Sequence, residues 1–178
     1  MQDFNELSTT KKGSLGDAIC RAHLESLGYV VYEPVTNGAH PFDKLCATKD
    51  KKTLVIVEVK TKPSRYWYPD TGINISHFKD YMRVQMKYQI TVCIFFVDEI
   101  KLEIYGGKLN DMNAARLVEF TDRKGRTKTK NYPAREGNII FFAIESMKKI
   151  CDITKEQAEE IKSYSTRSSA YNYEGAQH

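Results

Sequence analysis

Apolar residues recur at helical spacing in three stretches of the chain. The spacing predicts helices over residues 14–27, 76–89 and 154–163. In the first helix, Ser14 stands where an N-cap is expected, and Gly28 follows the last turn as a typical helix stop. Each predicted helix has one apolar face, so another layer of structure must cover it.

Short runs rich in β-branched and aromatic residues predict strands between the first two helices. These runs lie at residues 29–34, 42–48 and 53–60, and the last two are separated by a charged turn at 49–52. The segment 62–74 contains two prolines and a glycine, and we expect it to form a loop that leads into the second helix.

Further strands are predicted after the second helix. Residues 91–97 are apolar throughout, which is typical of a strand that is covered on both faces. Residues 101–105 follow a short turn and are expected to pair with this strand. Weaker strand patterns occur at 116–120 and 138–144.

The order helix, three strands, helix, strand predicts a compact α/β fold, with a mixed central β-sheet flanked by helices (αβββαβ). No internal repeat divides the sequence, so we expect a single domain over residues 1–164 and a flexible C-terminal tail over 165–178. No glycine-rich loop follows a strand and opens a helix, so the sequence does not support a nucleotide cofactor.

The composition argues against a membrane protein and against a disulfide scaffold. Charged residues make up 28% of the 178, and no apolar run approaches the roughly 18 residues of a membrane helix. The four cysteines are far apart in the sequence, and the N-terminus is unlike a signal peptide, so we expect a cytoplasmic protein. The net charge of +4 permits a polyanionic partner without requiring one.

Candidate chemistry lies at the ends of two predicted strands. Because strand side chains alternate, Glu58 and Lys60 share the face of Ile56, and Asp43 shares the face of Leu45 on the preceding strand. Two carboxylates held close repel each other unless a proton or a cation lies between them. Such an all-oxygen site suits Mg²⁺ or Mn²⁺, and a nearby lysine can orient a water or stabilise charge on a phosphate. The pattern indicates phosphodiester hydrolysis, and an ordinary ion pair at the strand ends is the alternative.

The surroundings of these residues carry a family resemblance. Residues 12–62 contain, in order, Gly13-Ser14-Leu15-Gly16-Asp17, Gly28-Tyr29, Pro41-Phe42-Asp43 and Glu58-Val59-Lys60. This order resembles the PD-(D/E)XK nuclease superfamily, in particular archaeal Holliday-junction resolvases and small bacterial YraN-type proteins. The segment 68–74 also looks like phage-borne members, which would place the protein in the cytoplasm of a host.

The resemblance implies a restriction-endonuclease-like core that uses Mg²⁺, with Mn²⁺ able to substitute. It implies that Asp43 and Glu58 are metal ligands, that the carbonyl of Val59 completes the protein's share, and that Lys60 is the catalytic lysine. It also implies DNA as the partner and a possible homodimer, since the resolvases act as dimers.

Two further residues are candidates for the same site. The acid on the family's first helix falls on Asp17, where this sequence has Asp in place of the usual Glu. The shorter side chain favours a water-mediated role, and a capping box with Ser14 is the alternative. Gln85 lies along the apolar stripe of the second helix, where many nucleases of the superfamily use a glutamine; a hydrogen bond to a backbone carbonyl is the alternative.

Two segments have the composition of a nucleic-acid contact. The first leads out of the candidate site and combines cations with aromatic rings that can stack on unpaired bases, and the second is a basic run that we interpret as an arm along the DNA backbone. Solvated loops are the alternative for both. The residues are Lys62, Arg65, Tyr66 and Trp67 in the first segment and Arg123, Lys124, Arg126, Lys128 and Lys130 in the second.

The sequence therefore predicts a Mg²⁺-dependent DNA endonuclease. We expect it to select the shape of its substrate, such as a Holliday junction, branched DNA or a DNA end. A catalytically inactive nucleic-acid-binding module on the same fold is the alternative, and an interaction protein unrelated to nucleic acid is a third interpretation.

Overall fold

The computed structural model describes residues 8–34, 42–50 and 52–165, so the predicted tail lies outside the described residues from residue 166 onward. No helix in these ranges is long and apolar enough to cross a membrane. The helices are α1 (Ser8–Ser26), α2 (Ile75–Tyr88), α3 (Leu109–Met112) and α4 (Lys155–Ser163). The strands are β1 (Val30–Tyr32), β2 (Lys44–Ala47), β3 (Leu54–Thr61), β4 (Asp70–Asn74), β5 (Thr91–Asp98), β6 (Glu103–Lys108), β7 (Arg116–Thr121), β8 (Thr127–Tyr132), β9 (Ala134–Glu136), β10 (Ile139–Ala143) and β11 (Lys148–Asp152).

Six strands form a central sheet in the order β1-β2-β3-β5-β6-β11. The neighbours β3 and β5 are parallel, and the other neighbouring pairs are antiparallel. The strands β4, β10 and β9 form a second sheet, and β7 pairs with β8. A mixed central sheet flanked by helices is the predicted fold class, and that prediction is confirmed.

The two faces of the central sheet are buried by different layers. On one face, α1 and α4 pack against the sheet through an apolar cluster that includes Cys20, Val57 and Ile161. On the other face, α2 and the second sheet pack through a cluster that includes Ile56 and Phe142. Glu58 follows Ile56 by two residues, so strand alternation points it toward the α2 layer, as predicted.

The first helix begins earlier than predicted. It starts at Ser8, which places Ser14 inside the helix with its hydroxyl donating to the Thr10 carbonyl at 3.0 Å. The prediction of Ser14 as the N-cap is therefore wrong, although Gly28 follows the helix as predicted, with a φ of 85°. The added turn has no apolar periodicity, and a buried ion pair between Lys12 and Glu99, 2.5 Å long, holds it in place.

The predicted loop at 62–74 is wrong in its second half, where the chain forms β4. This strand pairs with β10 in antiparallel register, with Asp70 opposite Ala143 and Asn74 opposite Ile139. Because its partner lies far along the chain and Pro69 directly precedes it, the local sequence favours a turn instead. Asn74 then caps α2, its side-chain oxygen accepting the amide hydrogen of Ser76 at 2.9 Å.

Gly16 marks the closest approach of α1 to the sheet. A Cβ at this position would lie 1.9 Å from Oγ1 and 3.1 Å from Cβ of Thr61, so the helix could not keep its distance from β3. One turn earlier, a Cβ on Gly13 would meet no atom within 4 Å. Gly16 is therefore needed for close packing and Gly13 is not, although both glycines belong to the same motif at residues 13–17.

We expect Gly16→Ala to lower the free energy of unfolding by about 1–3 kcal/mol, because overpacking forces α1 away from β3. Gly13→Ala is the matched control, and it should be neutral or should raise that free energy by up to about 1 kcal/mol through better helix propensity. Urea denaturation of the two variants beside the parent chain tests this, and equal midpoints for both would contradict the close contact.

Candidate active site

The ends of β2 and β3 bring the predicted carboxylates together. Lys44 opens β2 opposite Val57, so Asp43 lies next to Glu58 across the two strands. The Oδ2 atom of Asp43 accepts the backbone amide hydrogen of Val59 at 2.8 Å, which extends the ladder by one side-chain bond. No hydrogen bond from the described residues reaches Oδ1 of Asp43. The predicted alternation of faces thus places two carboxylates at one end of the hairpin.

Glu58 is the most constrained member of this group, since its side chain is only 5% exposed. Its Oε1 accepts from Lys60 Nζ at 2.5 Å and from the hydroxyl of Tyr81, whereas its buried Oε2 has no hydrogen-bond partner among the described residues. Burial raises the pKa of Glu58, the negative charge of Asp43 raises it further, and Lys60 opposes the shift. A buried carboxylate oxygen without a partner is costly unless a ligand completes its surroundings.

Tyr81 is a site residue that the sequence interpretation treated only as part of an apolar stripe. It extends from α2, is 5% exposed, and donates its hydroxyl to Glu58. Burial raises the pKa of Tyr81, and the charge of Glu58 adds to that effect. The sequence could have suggested a polar contact for Tyr81, because the hydroxyl of a buried tyrosine usually forms a hydrogen bond.

Asp17 reaches the neighbourhood of Asp43 but is held by Lys44. The ammonium of Lys44 lies 2.7 Å from Asp17 and 3.1 Å from Glu33, and its side chain is 1% exposed. Burial opposes the charge of Lys44, but Asp17 and then Glu33 outweigh it and raise the pKa of the ammonium. The pKa of Asp17 is raised by burial and then by the nearby charge of Asp43. The capping-box interpretation of Asp17 is wrong, since Ser14 is not a cap.

A cavity of about 550 Å³ opens beside these groups and gives solvent a path to them. Its lining includes Ser14, Asp17, Arg21, Asp43 and Lys44. The sequence interpretation did not single out the Lys44 and Glu33 pair, because a lysine next to Asp43 and an acid after β1 become neighbours only when α1 packs on the sheet.

Gln85 is not brought to this group. Its Oε1 accepts the backbone amide hydrogen of Val92 at 3.0 Å, and its Nε2 donates to Asn110 at 2.7 Å. Both partners lie at the start of β5 and on α3, away from Glu58. The expectation that Gln85 assists at the site is therefore not supported by its position.

The donor set fits a hard divalent cation. Within residues 8–34, 42–50 and 52–165, no three Asp, Glu, His or Cys side chains form a cluster that could hold a metal by themselves. Two carboxylates suffice for Mg²⁺, which keeps several waters and takes further ligands from substrate phosphates. Oε2 of Glu58 is the buried oxygen that such an ion would satisfy.

Comparison with solved structures supports the fold of the chain that holds this site. No family model and no curated protein matches the sequence. Among solved structures, Hjc, a Holliday junction resolvase from the archaeal hyperthermophile Archaeoglobus fulgidus, aligns with a TM-score of 0.52 at 10% identity over 82% of this chain and 99% of the resolvase chain. The chain has the fold of this resolvase. D212, a nuclease from a fusselovirus, aligns with a TM-score of 0.39 at 10% identity over 83% of this chain and 84% of its own.

The fold shared with this resolvase agrees with the fold that the resemblance over residues 12–62 implied. Sequence identity of 10% leaves the likeness at the level of the fold. The roles of Asp43, Glu58 and Lys60 therefore depend on their own geometry.

Three of the cations predicted to contact nucleic acid also make contacts within the protein. Lys62 donates to the Gly72 carbonyl at 2.8 Å, and burial and then the charge of Arg65 lower its pKa. Arg65 forms a two-pronged pair with Asp70, with both bonds 2.6 Å long. The ammonium of Lys130 lies 2.5 Å from Glu136. Arg65 and Lys130 thus hold the loop after β3 against the second sheet.

The other predicted contacts come together on one surface. The loop after β3 meets the β7–β8 hairpin, where the guanidinium of Arg123 lies 5.0 Å from the centre of the Trp67 ring. The basic run, interpreted from the sequence as an arm, is the turn and second strand of this hairpin. We call this region the aromatic–basic surface; it comprises Tyr66, Trp67, Tyr68, Phe120, Arg123, Lys124, Arg126 and Lys128.

Proposed function

We propose that the protein is a metal-dependent endonuclease that hydrolyses phosphodiester bonds in DNA and selects branched DNA or DNA ends. The observation that carries the proposal is Glu58, a buried carboxylate with one unpartnered oxygen beside Asp43 and Lys60. An acid in this state destabilises the folded chain unless it serves a ligand. The ion pair of the alternative interpretation is present between Glu58 and Lys60, but it leaves Oε2 of Glu58 without a partner among the described residues.

In this proposal Asp43 and Glu58 hold Mg²⁺, and the Val59 carbonyl completes the set of protein ligands. The ion, when bound, polarises the phosphate and lowers the pKa of a bound water. Lys60, whose side chain is 26% exposed and whose ammonium lies 2.5 Å from Glu58, orients the water or stabilises charge on the phosphate. Tyr81 keeps Glu58 in position through its hydroxyl.

Selection of branched DNA is supported by the fold shared with a Holliday junction resolvase. A homodimer would bring two such sites to two of the four strands of a Holliday junction. Sedimentation of the protein with and without a four-way junction would measure that assembly.

The deciding experiment is cleavage of end-labelled substrates in Mg²⁺, in Mn²⁺ and in EDTA. The panel contains a four-way junction, a flap, a blunt duplex, a single strand and an RNA. We expect cleavage only with metal, with the junction or the flap preferred, and we expect Asp43→Asn to abolish it. Cleavage that persists in EDTA, or that Asp43→Asn leaves intact, would reject the proposal.

One observation favours the second candidate, an inactive DNA-binding module. The carboxylate of Asp17 is paired with buried Lys44, although the resemblance would place an acid there at the metal. An inactive site that no longer binds metal would show no thermal stabilisation by millimolar Mn²⁺, whereas an active site would stabilise the folded chain by binding the ion. DNA binding without any metal-induced shift in melting temperature would select this candidate.

A further inference from the structure

The aromatic–basic surface exposes rings that a folded chain usually buries. Tyr66 is 49% exposed and Tyr68 is 41% exposed. Tyr66 and Trp67 meet edge to face with centroids 4.4 Å apart, and Tyr68 lies 5.5 Å from Phe120. A contiguous group of exposed rings marks a contact surface more often than an isolated apolar residue does.

Two clefts flank these rings. The larger, of about 470 Å³, is lined by the loop 64–69 and by Ile100 and Lys101. The smaller, of about 240 Å³, lies at the turn of the hairpin. The rings of Trp67, Tyr68 and Phe120 line both clefts, so the clefts meet at these rings.

The smaller cleft carries an excess of positive charge. Its described lining contains Arg123, Lys124, Arg126 and Lys128 against the single carboxylate of Asp122. Asp122 is satisfied by Arg126, with bonds of 2.8 and 3.0 Å, and these bonds lower its pKa. The remaining cations favour a polyanion, and the rings favour flat apolar groups, which is the combination that a nucleic acid strand with unstacked bases presents.

The surface is held in place before any ligand binds. The guanidinium of Arg65 lies 4.3 Å from the centre of the Tyr68 ring and 3.7 Å from that of Phe141, and its fork to Asp70 fixes the loop. Because the rings are already ordered, binding would require little loss of conformational freedom.

The surface also lies within reach of the candidate active site. Trp67 follows Lys60 by seven residues, and an extended chain advances at most about 3.6 Å per residue, so their Cα atoms are at most about 25 Å apart. That distance corresponds to about seven nucleotides of duplex at 3.4 Å each. The separation is therefore within the length of a short DNA duplex.

We propose that the aromatic–basic surface binds an unpaired DNA strand by stacking its bases on Trp67, Tyr68 and Phe120 while Arg123 and Lys124 contact its phosphates. The inference deepens the proposed function and rests on it for the choice of DNA. It names the preferred substrate class, DNA in which an unpaired strand lies next to the cleaved duplex, as in a flap, a splayed branch or a frayed end.

Trp67 supplies its own probe, because it is the only tryptophan in the sequence. The full chain is titrated in EDTA with a thymidine oligonucleotide of about eight nucleotides, within the usual size of a single-strand site, and with an abasic phosphodiester of equal length. We expect the thymidine strand to quench Trp67 fluorescence and to bind at least about fivefold more tightly than the abasic strand, because only the former can stack.

Three variants test which residues carry the binding, with labelled strands measured by anisotropy. Tyr68→Ala should weaken binding of the thymidine strand about fivefold or more and leave the abasic strand unaffected. Arg123→Gln should weaken both strands and reduce the salt dependence. Tyr88→Ala removes a 57% exposed ring on α2 and should change neither.

Equal affinity for the two strands without quenching would overturn the proposal, since binding would then be electrostatic only. Tighter binding of a uridine RNA strand would overturn the assignment to DNA. The titration requires no cleavage, so an inactive protein that still shows quenching would reject the nuclease and keep this site. An active nuclease without quenching would reject this site alone.

Discussion

Replacing Glu58 with Gln should lower the rate of DNA cleavage by about 10²- to 10⁴-fold, the usual effect of removing a group that acts directly on the reacting centre. The amide keeps the shape of the side chain and can still accept from Tyr81, so the fold should persist. It removes the negative charge that pairs with Lys60 and, in our proposal, with the metal. Single-turnover cleavage of the preferred substrate measures the loss.

The same variant separates metal binding from folding. If Glu58 holds the ion, Mn²⁺ at about 100 times its dissociation constant should stabilise the parent chain by about 2.7 kcal/mol and should not stabilise Glu58→Gln. Without metal, the variant should be at least as stable as the parent, because its uncharged amide is easier to bury than the carboxylate. A variant that cleaves DNA at the parent rate would remove Glu58 from the mechanism.

Asp70→Asn should lower the free energy of unfolding by about 3–5 kcal/mol, the cost of removing one partner from a buried ion pair. The carboxylate of Asp70 has no exposed side-chain surface, and it accepts two bonds from Arg65 at 2.6 Å and one from the hydroxyl of Tyr132 at 2.6 Å. An amide would point its NH2 donor at one of these donors and would leave the guanidinium of Arg65 with Glu136, 2.7 Å away, as its remaining acidic partner among the described residues. Urea denaturation followed by circular dichroism measures the change.

Asp80→Asn is the matched control for that substitution. Asp80 is 48% exposed and pairs with Arg83 on the same helix, at 2.7 Å, so its loss should cost less than about 0.5 kcal/mol. A double variant of Asp70 and Arg65 should cost less than the sum of the single ones, because both remove the same pair. A small effect of Asp70→Asn would show that Arg65 does not anchor the loop.

The helices α2 and α4 could be predicted closely because their limits depend on neighbouring residues. Asn74 caps α2, and Thr154 forms a capping box with Gln157 at the start of α4. The apolar spacing in each helix is equally local. The start of α1 could not be predicted in this way, because the pair of Lys12 and Glu99 that secures it joins residues 87 positions apart.

The core of the candidate site was predictable for a similar reason. Asp43 directly precedes β2, Glu58 and Lys60 lie on its hairpin partner β3, and strand alternation determines which of their side chains share a face. Tyr81 and Lys44 were not assigned to the site, since their contacts arise only when α2 and α1 pack on opposite faces of the sheet. Gln85 shows the opposite error, since it was assigned to the site. It lies on the expected helix, but too far along it to join Glu58.

By itself, the sequence determined the three longer helices, the faces of the strands β2 and β3 and the acid–acid–lysine group, because these follow from short periods and short separations along the chain. Only the tertiary structure decided that the loop after β3 meets the β7–β8 hairpin, and that one buried oxygen of Glu58 has no partner in the described part of the chain. Both depend on packing between elements that are distant in sequence, where the favourable position is set by many small contacts together and not by any local pattern.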